Sequence, residues 1–169
     1  MKIAVKDAGL LIDMDLMGVL DVWVCLGIET LTTDQVFQEV RGRHPNVVAH
    51  VERGSIVVIP IGLERIFQEI EEERYRKLSP EDVSVLILAR ETGAMLLTCD
   101  GSLREEAEGQ CIEVHGSIWV MDRLVDEERL AGSVAADKLE ALMNRAGSEK
   151  RFLPKKEAKR FIRKWRGIH

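Results

Sequence analysis

Two aspartates stand where apolar strands would end. Ile3-Ala4-Val5 leads through Lys6 into Asp7, and Leu96-Leu97-Thr98 leads through Cys99 into Asp100. Open parallel sheets bind ligands beyond the carboxyl ends of their strands, so the two carboxylates would meet at that edge if the strands are neighbours. Two further acids are placed to join them: Asp82, in the first turn of a helix opening Ser79-Pro80-Glu81-Asp82, and Glu39, in a helix after the second strand. Like carboxylates about 4 Å apart repel by roughly 4 kcal/mol at an effective dielectric near 20, so such a cluster must hold a cation, share protons or spread apart. A hard dication, Mg²⁺ or Mn²⁺, is the natural resolution, because both prefer oxygen ligands and keep several waters. Each acid also has a plain structural role. Asp82 would favour a helix N-terminus by roughly 0.3 to 1 kcal/mol, Glu39 would be a surface charge, and Asp7 and Asp100 would be turn residues after strands.

The elements that must position these acids alternate along the chain. Ile3–Val5 is a short strand, and Leu10, Met14 and Met17 then recur at helical spacing over residues 8–20, with Asp15 facing away. Residues 26–31 are expected as a second strand, followed by a helix capped by Thr33 or Asp34 that carries Val36, Phe37 and Val40 on one face. Ser55–Ile59 has strand character. Leu63, Ile66, Phe67 and Ile70 step i, i+3, i+4, i+7 into a helix whose other face carries Glu71, Glu72 and Glu73, a solvated run. Ser79 at N-cap and Pro80 at N1 open a helix through Val83, Leu86, Ile87 and Arg90 that stops at Gly93. A strand over 94–98, a helix over 102–108, a strand over 112–114 and a helix over 116–126 follow. Such alternation, with apolar runs of four or five residues, argues for a mostly parallel sheet covered by helices on both faces. Residues 127–169 read as two or three further helices, the last with Ala158, Phe161, Ile162 and Trp165 on one side.

A chain of 169 residues, 46% hydrophobic and 31% charged, can bury one compact core with an appendage. No run approaches about 18 uncharged apolar residues and no signal-like segment opens the chain, so a cytoplasmic protein with no membrane association is expected. Cys25, Cys99 and Cys111 show no metal-site or disulfide spacing, which predicts reduced, buried thiols. The net charge of −5 hides an asymmetry: residues 149–169 carry nine Lys or Arg against Glu149 and Glu157, a balance of +7 that leaves −12 for residues 1–148. An acidic body with a basic tail suits cations held by the body and an anionic partner reached by the tail.

The stretch LSPEDVSVLILARETGAMLLTCDGSLREEA resembles the second half of a PIN domain, whose helix opens on an Asp, runs to a Gly and is followed by a strand ending in Thr-x-Asp. VKDAGLLIDM is similar to the family's first strand with its Asp, and TTDQVFQEVR to the helix that carries its Glu. CIEVHGSIWVMDRLV is similar to the last strand and helix of PIN proteins close to the VapC toxins. The resemblance spans roughly residues 3–126. It implies a three-layer α/β/α sandwich with a mostly parallel central sheet as a PIN-like domain over residues 1–126, followed by a helical extension over 127–169 with a basic last helix. It implies catalytic roles for Asp7, Glu39, Asp82 and Asp100, with Asp7, Asp82 and Asp100 as ligands of Mg²⁺ or Mn²⁺ and Thr98 orienting the last carboxylate. The activity implied is metal-dependent cleavage of single-stranded RNA by a homodimer, as in toxins that an antitoxin protein holds silent.

One position departs from the family's pattern. Many members carry a further acid four residues after the last Asp, and this chain has Arg104 there, with Glu105 and Glu106 next to it. That weakens the case for a second metal and keeps open an inactive RNA-binding or interaction module. Arg104, with Lys159 and Arg163 of the basic tail, is a candidate for binding the substrate. Asp13-Met14-Asp15 superficially resembles the aspartyl-phosphate loop of haloacid-dehalogenase-like phosphatases, yet it sits at helical spacing after Asp7 rather than at a strand end. His44, His50 and His169 show no partner pattern, His115 reads as a turn residue, and Trp23, Trp119 and Trp165 read as core or interface.

Overall fold

The structure, a computed structural model, describes residues 3–72, 75–145 and 153–168. Met1, Lys2, Glu73, Glu149, Lys150, Arg151 and His169 lie outside them. The chain begins with β1 (Ile3–Lys6), α1 (Ala8–Leu16), α2 (Leu20–Val24), β2 (Glu29–Thr33), α3 (Asp34–Val40), α4 (Pro45–Glu52) and β3 (Val57–Ile59). It continues with α5 (Leu63–Ile70), α6 (Pro80–Thr92), β4 (Met95–Leu97), α7 (Gly101–Gly109), β5 (Val114–His115), α8 (Ser117–Asp126), α9 (Gly132–Met143) and α10 (Lys155–Trp165).

The five strands form one sheet in the order β3-β2-β1-β4-β5, and every pair is parallel. After β1 the chain builds outward through β2 to β3, then crosses back through α5 and α6 to place β4 on the other side of β1. The direction of winding therefore reverses between β1 and β4, which is where doubly wound sheets open a crevice. Val5 pairs with Leu96 and Lys6 with Leu97, so the register brings Asp7 level with Thr98.

Helix α6 packs on β1, β2 and β4, and Val83 through Ala89 are all buried, which makes it the central helix of its layer. The second strand is shifted from the expected 26–31 to Glu29–Thr33 because Gly27, at φ +67°, still belongs to the turn after α2. The expected helix over 8–20 breaks in two. Gly18 adopts φ +63°, a conformation open to glycine at little cost, and this ends α1 before α2 starts at Leu20. The helix α4, opened by Pro45, had no expectation from periodicity.

The predicted apolar stripe of α5 is only partly buried. Ile66 is in the core, whereas Leu63 and Phe67 are 58% and 56% exposed. Cys99 is buried as expected, but Cys25 and Cys111 are exposed. Two histidines expected without partners have them. His44 Nδ1 lies 2.7 Å from Asp15 Oδ2, and His50 Nε2 lies 3.3 Å from Asp21 Oδ1.

The last two described helices dock on the body. Helix α9 packs against α8 and α10, and Lys138 Nζ donates to the Met17 carbonyl at 2.6 Å. Trp165 Nε1 donates to Asp122 Oδ1 at 2.9 Å, joining α10 to α8. The apolar face Ala158, Ile162 and Trp165 is buried here.

One core residue goes against the pattern of its strand. Alternation sends Lys6 to the side opposite Asp7, where its Nζ sits 3.6 Å from the centroid of the buried Trp23 ring. That Nζ has no hydrogen-bond partner among the described residues, and burial pushes its pKa well below 10.5. The ammonium is thus disfavoured in the fold, a penalty that fades as pH rises toward the ordinary lysine range. Lys6→Met, of similar volume, is expected to raise stability at pH 7 by about 1 to 3 kcal/mol, measured by urea unfolding. A loss of stability would show that the amine is needed where it lies.

Candidate active site

The chain folds locally so that carboxylates start helices at the sheet's carboxyl edge. Asp7 is the N-cap of α1, its Oδ1 accepting from Leu10 N at 2.7 Å. Asp100 caps α7 in the same manner, its Oδ1 accepting from Leu103 N at 2.7 Å. Asp82 is the N3 residue of α6, where its Oδ2 accepts from Ser79 N at 3.0 Å and Ser79 Oγ at 2.8 Å while Ser79 Oγ accepts from Asp82 N, a complete capping box. Glu39 projects from α3, whose start is held by the Thr33 hydroxyl.

These four acids, far apart in the chain, line one open crevice of about 280 Å³ together with Ala8, Gly9, Val36, Ser79, Glu81 and Cys99. Glu81 is a fifth carboxylate that sequence reasoning passed over. Its position beside Asp82 in the same first turn was the available signal. Thr98 serves a different carboxylate from the expected one. Its hydroxyl donates to Asp7 Oδ2 and accepts from the backbone N–H of Asp100 at 2.9 Å, so it orients Asp7 while holding the Asp100 turn.

The electrostatics follow from crowding. Burial pushes Asp7 up to about 7, against the bonds from Thr98 and Leu10, and the charge of Asp82 adds to the rise. Burial raises Asp82 as well, with Ser79 opposing and the charges of Asp100 and Glu81 contributing. Glu39 is raised by burial and then by Glu81 and Asp82. The site therefore holds excess negative charge and tends to take up a proton or a cation.

The donor chemistry fits a hard dication: all the charged groups are carboxylates, and Asp82 Oδ1 and Asp100 Oδ2 have no protein donor among the described residues. In the rotamers present, no three Asp, Glu, His or Cys side chains among the described residues are gathered into a metal-holding group. The other candidates lie elsewhere. Arg104 lines a neighbouring cavity, and Lys159 and Arg163 line a basic groove on α10 with Lys156, Arg160 and Lys164.

No curated protein matches the chain significantly. Among solved structures, the crystal structure of PAE2754 from Pyrobaculum aerophilum is similar, with a TM-score of 0.55 and 17% identity over 74% of this chain and 90% of that chain. At that identity the likeness is one of fold. Among the described residues no helix is long and apolar enough to cross a membrane. The acid-ended parallel strands belong to a pattern that extends along almost the whole molecule: a PIN-domain model matches residues 3–166, and the chain belongs to the PIN-domain family, whose members are typically nucleases.

Proposed function

We propose that the protein is a metal-dependent endoribonuclease that cuts single-stranded RNA at the acidic crevice. The observation that carries this is the convergence of Asp7, Glu39, Asp82 and Asp100 on one opening at the carboxyl edge of the sheet, with Asp7, Glu39 and Asp82 raised by burial and by neighbouring carboxylates. PIN domains generally use divalent metals. Here Asp7, Asp82 and Asp100 would hold Mg²⁺ or Mn²⁺, which when bound supplies Lewis-acid help to the phosphodiester and offsets the carboxylate charge.

The chain's own groups do the rest. Thr98 and the Leu10 N–H hold Asp7 in one orientation, so its carboxylate presents the same face to every substrate. Glu39, exposed at the rim and with its pKa raised by burial, is placed to orient water and accept a proton. Lys159 and Arg163 on the basic groove would hold the RNA backbone and counter its repulsion from the acids.

The protein would serve as the toxin of a toxin–antitoxin pair, with the antitoxin covering the crevice. A second copy would pair through the exposed Leu63 and Phe67 of α5 and Val57 of the edge strand β3. A second reading, an RNA-binding module without activity, draws on Arg104 and on the carboxylates' engagement as helix caps.

Cleavage of a labelled single-stranded RNA in Mg²⁺ or Mn²⁺, compared between wild type and Asp100→Asn, separates the two. Asn caps a helix as well as Asp, so the fold of α7 is kept. Metal-dependent cutting reduced about 100-fold or more in the variant supports the enzyme. RNA bound tightly and left intact by the wild type supports the module.

A further inference from the structure

Beside the acidic crevice lies a second cavity that the proposed chemistry does not use. It has a volume of about 210 Å³ and is walled by Arg104, His115, Trp119 and Phe161, with the start of α8 as its floor. The two sites are neighbours. A Cβ on Gly116 would lie 3.3 Å from both Arg104 Nη2 and the carbonyl oxygen of Thr98, the residue whose hydroxyl holds Asp7. Asp100 and Arg104 open the same helix, α7, with Arg104 N donating to Asp100 O at 3.1 Å.

We propose that this cavity is a nucleotide subsite, taking the base and phosphate of the RNA residue that flanks the bond to be cut. The inference rests on the ribonuclease reading of the crevice next to it. Three features converge on that ligand. Arg104 lines the cavity and brings a planar guanidinium suited to phosphate oxygens.

The second feature is aromatic. The His115 and Trp119 rings stack at 4.1 Å between centroids with 8° between their planes, and Phe161 lines the same cavity. His115 Nε2 lies 2.7 Å from Glu113 Oε1, which steadies the ring. Stacking on such a wall is worth roughly 1 to 3 kcal/mol per base and accepts any base. The third is α8 itself, ten residues long, which starts at Gly116 with no side-chain cap and no acid in its first turn. Its first backbone N–H groups add to the attraction for an anion already favoured by Arg104.

Size and charge limit the occupant. The volume is below the roughly 300 to 1,000 Å³ of pockets for drug-sized ligands, so one ring system fits and a folded oligonucleotide does not. Two carboxylates in the wall are already engaged: Asp122 accepts from Lys164 Nζ and Trp165 Nε1, and Glu157 lies 3.8 Å from Arg160. The basic face of α10 continues from this wall, so a strand leaving the subsite passes onto Lys159 and Arg163. The position four residues beyond Asp100 thus holds a cation serving the adjoining pocket.

The test uses the full chain in EDTA, so that neither metal nor cleavage enters. Adenosine and uridine 5′-monophosphate, adenosine and inorganic phosphate are titrated separately, read by calorimetry and by NMR shifts of the Trp119 indole and the Ser117–Trp119 amides. Expected is saturable binding of both nucleotides at this site, weaker binding of adenosine or phosphate alone, and at least a ten-fold loss for the nucleotides in Arg104→Ala that Arg104→Lys partly restores. Melting curves confirm that both variants fold. Nucleotide binding unchanged in Arg104→Ala, shifts confined to α10, or no saturation at millimolar nucleotide would each overturn the subsite. Cleavage of RNA by the same preparation in Mn²⁺ is scored separately, so a failed subsite and a failed nuclease reading give different results.

Discussion

Asp7→Asn is expected to be more stable than the wild type by about 3 kcal/mol at pH 8 in EDTA, while in Mg²⁺ or Mn²⁺ its RNA cleavage falls about 100-fold or more. The first half follows from the buried carboxyl. Asp7 titrates at about 7 in the fold against an ordinary 3.8, because burial disfavours its charged form. The folded state therefore binds the proton more tightly than the unfolded chain. The stability gained from that proton is fully present below about pH 4 and is lost as pH rises through 7. The rise from 3.8 to about 7 corresponds to roughly 4 kcal/mol, from which about 1 is subtracted for the disturbed Thr98 bond.

Asparagine keeps the cap to Leu10 N and carries no charge to bury. Urea unfolding from pH 4 to 9 checks the sign: the variant should be about 1 kcal/mol less stable near pH 4, and the order should reverse toward pH 8. Adding Mn²⁺ should close the gap at pH 8 from the wild-type side, since a dication compensates the ionised carboxylate. A variant that is less stable at pH 8 would mean that Asp7 is not held as a strained carboxyl. The same titration predicts that metal affinity weakens as pH falls below 7, because protons compete for the ligand.

The second large effect concerns the docking of the last helix. Gly132→Ala is expected to cost about 3 kcal/mol, since the new Cβ would stand 2.5 Å from the carbonyl oxygen of Trp165 and 3.3 Å from its carbonyl carbon and Cβ. The obstacle is backbone, so no rotamer change relieves it. Alanine would otherwise favour the helix by up to about 1 kcal/mol, and the clash exceeds that gain. Relief requires α10 to lift from α9, exposing Trp165, Ile162 and Ala158. Thermal melting and a red shift of tryptophan emission report it. Gly109→Ala is the control, because nothing lies within 4 Å of the added carbon there and the change should be near neutral.

Much of the site's frame could be read along the chain because its signals are local. An apolar run ending in Asp marked the edges of β1 and β4, Ser79 and Pro80 marked the start of α6, and Gly93 marked its end. Thr33 was legible as a cap for the same reason. What escaped depends on contacts between distant segments. The start of β2 is set by its pairing with β1, which periodicity over 26–31 does not contain. Leu63 and Phe67 obey a buried helical stripe yet lie outside, because only Ile66 of that face reaches the core.

Lys6 reads only as the link between the first strand and Asp7 and proves to be enclosed against Trp23, a position given by a helix fourteen or more residues later. Arg104 shows the limit of reading a local pattern: it follows Asp100 on the same helix but lines the cavity beside the crevice.

Asp7 and Asp100 each divide their two oxygens between tasks, one accepting from the third residue of a helix. Under the proposed metal-holding role, length and ionisation are demanded at once from a single side chain. Serine satisfies the short reach alone, asparagine matches the reach without the charge, and glutamate restores the charge but is a methylene too long for the turn. Of the twenty residues, only aspartate answers both requirements, so these two positions have no conservative replacement, whereas Glu39, which caps no helix, is free of that restriction.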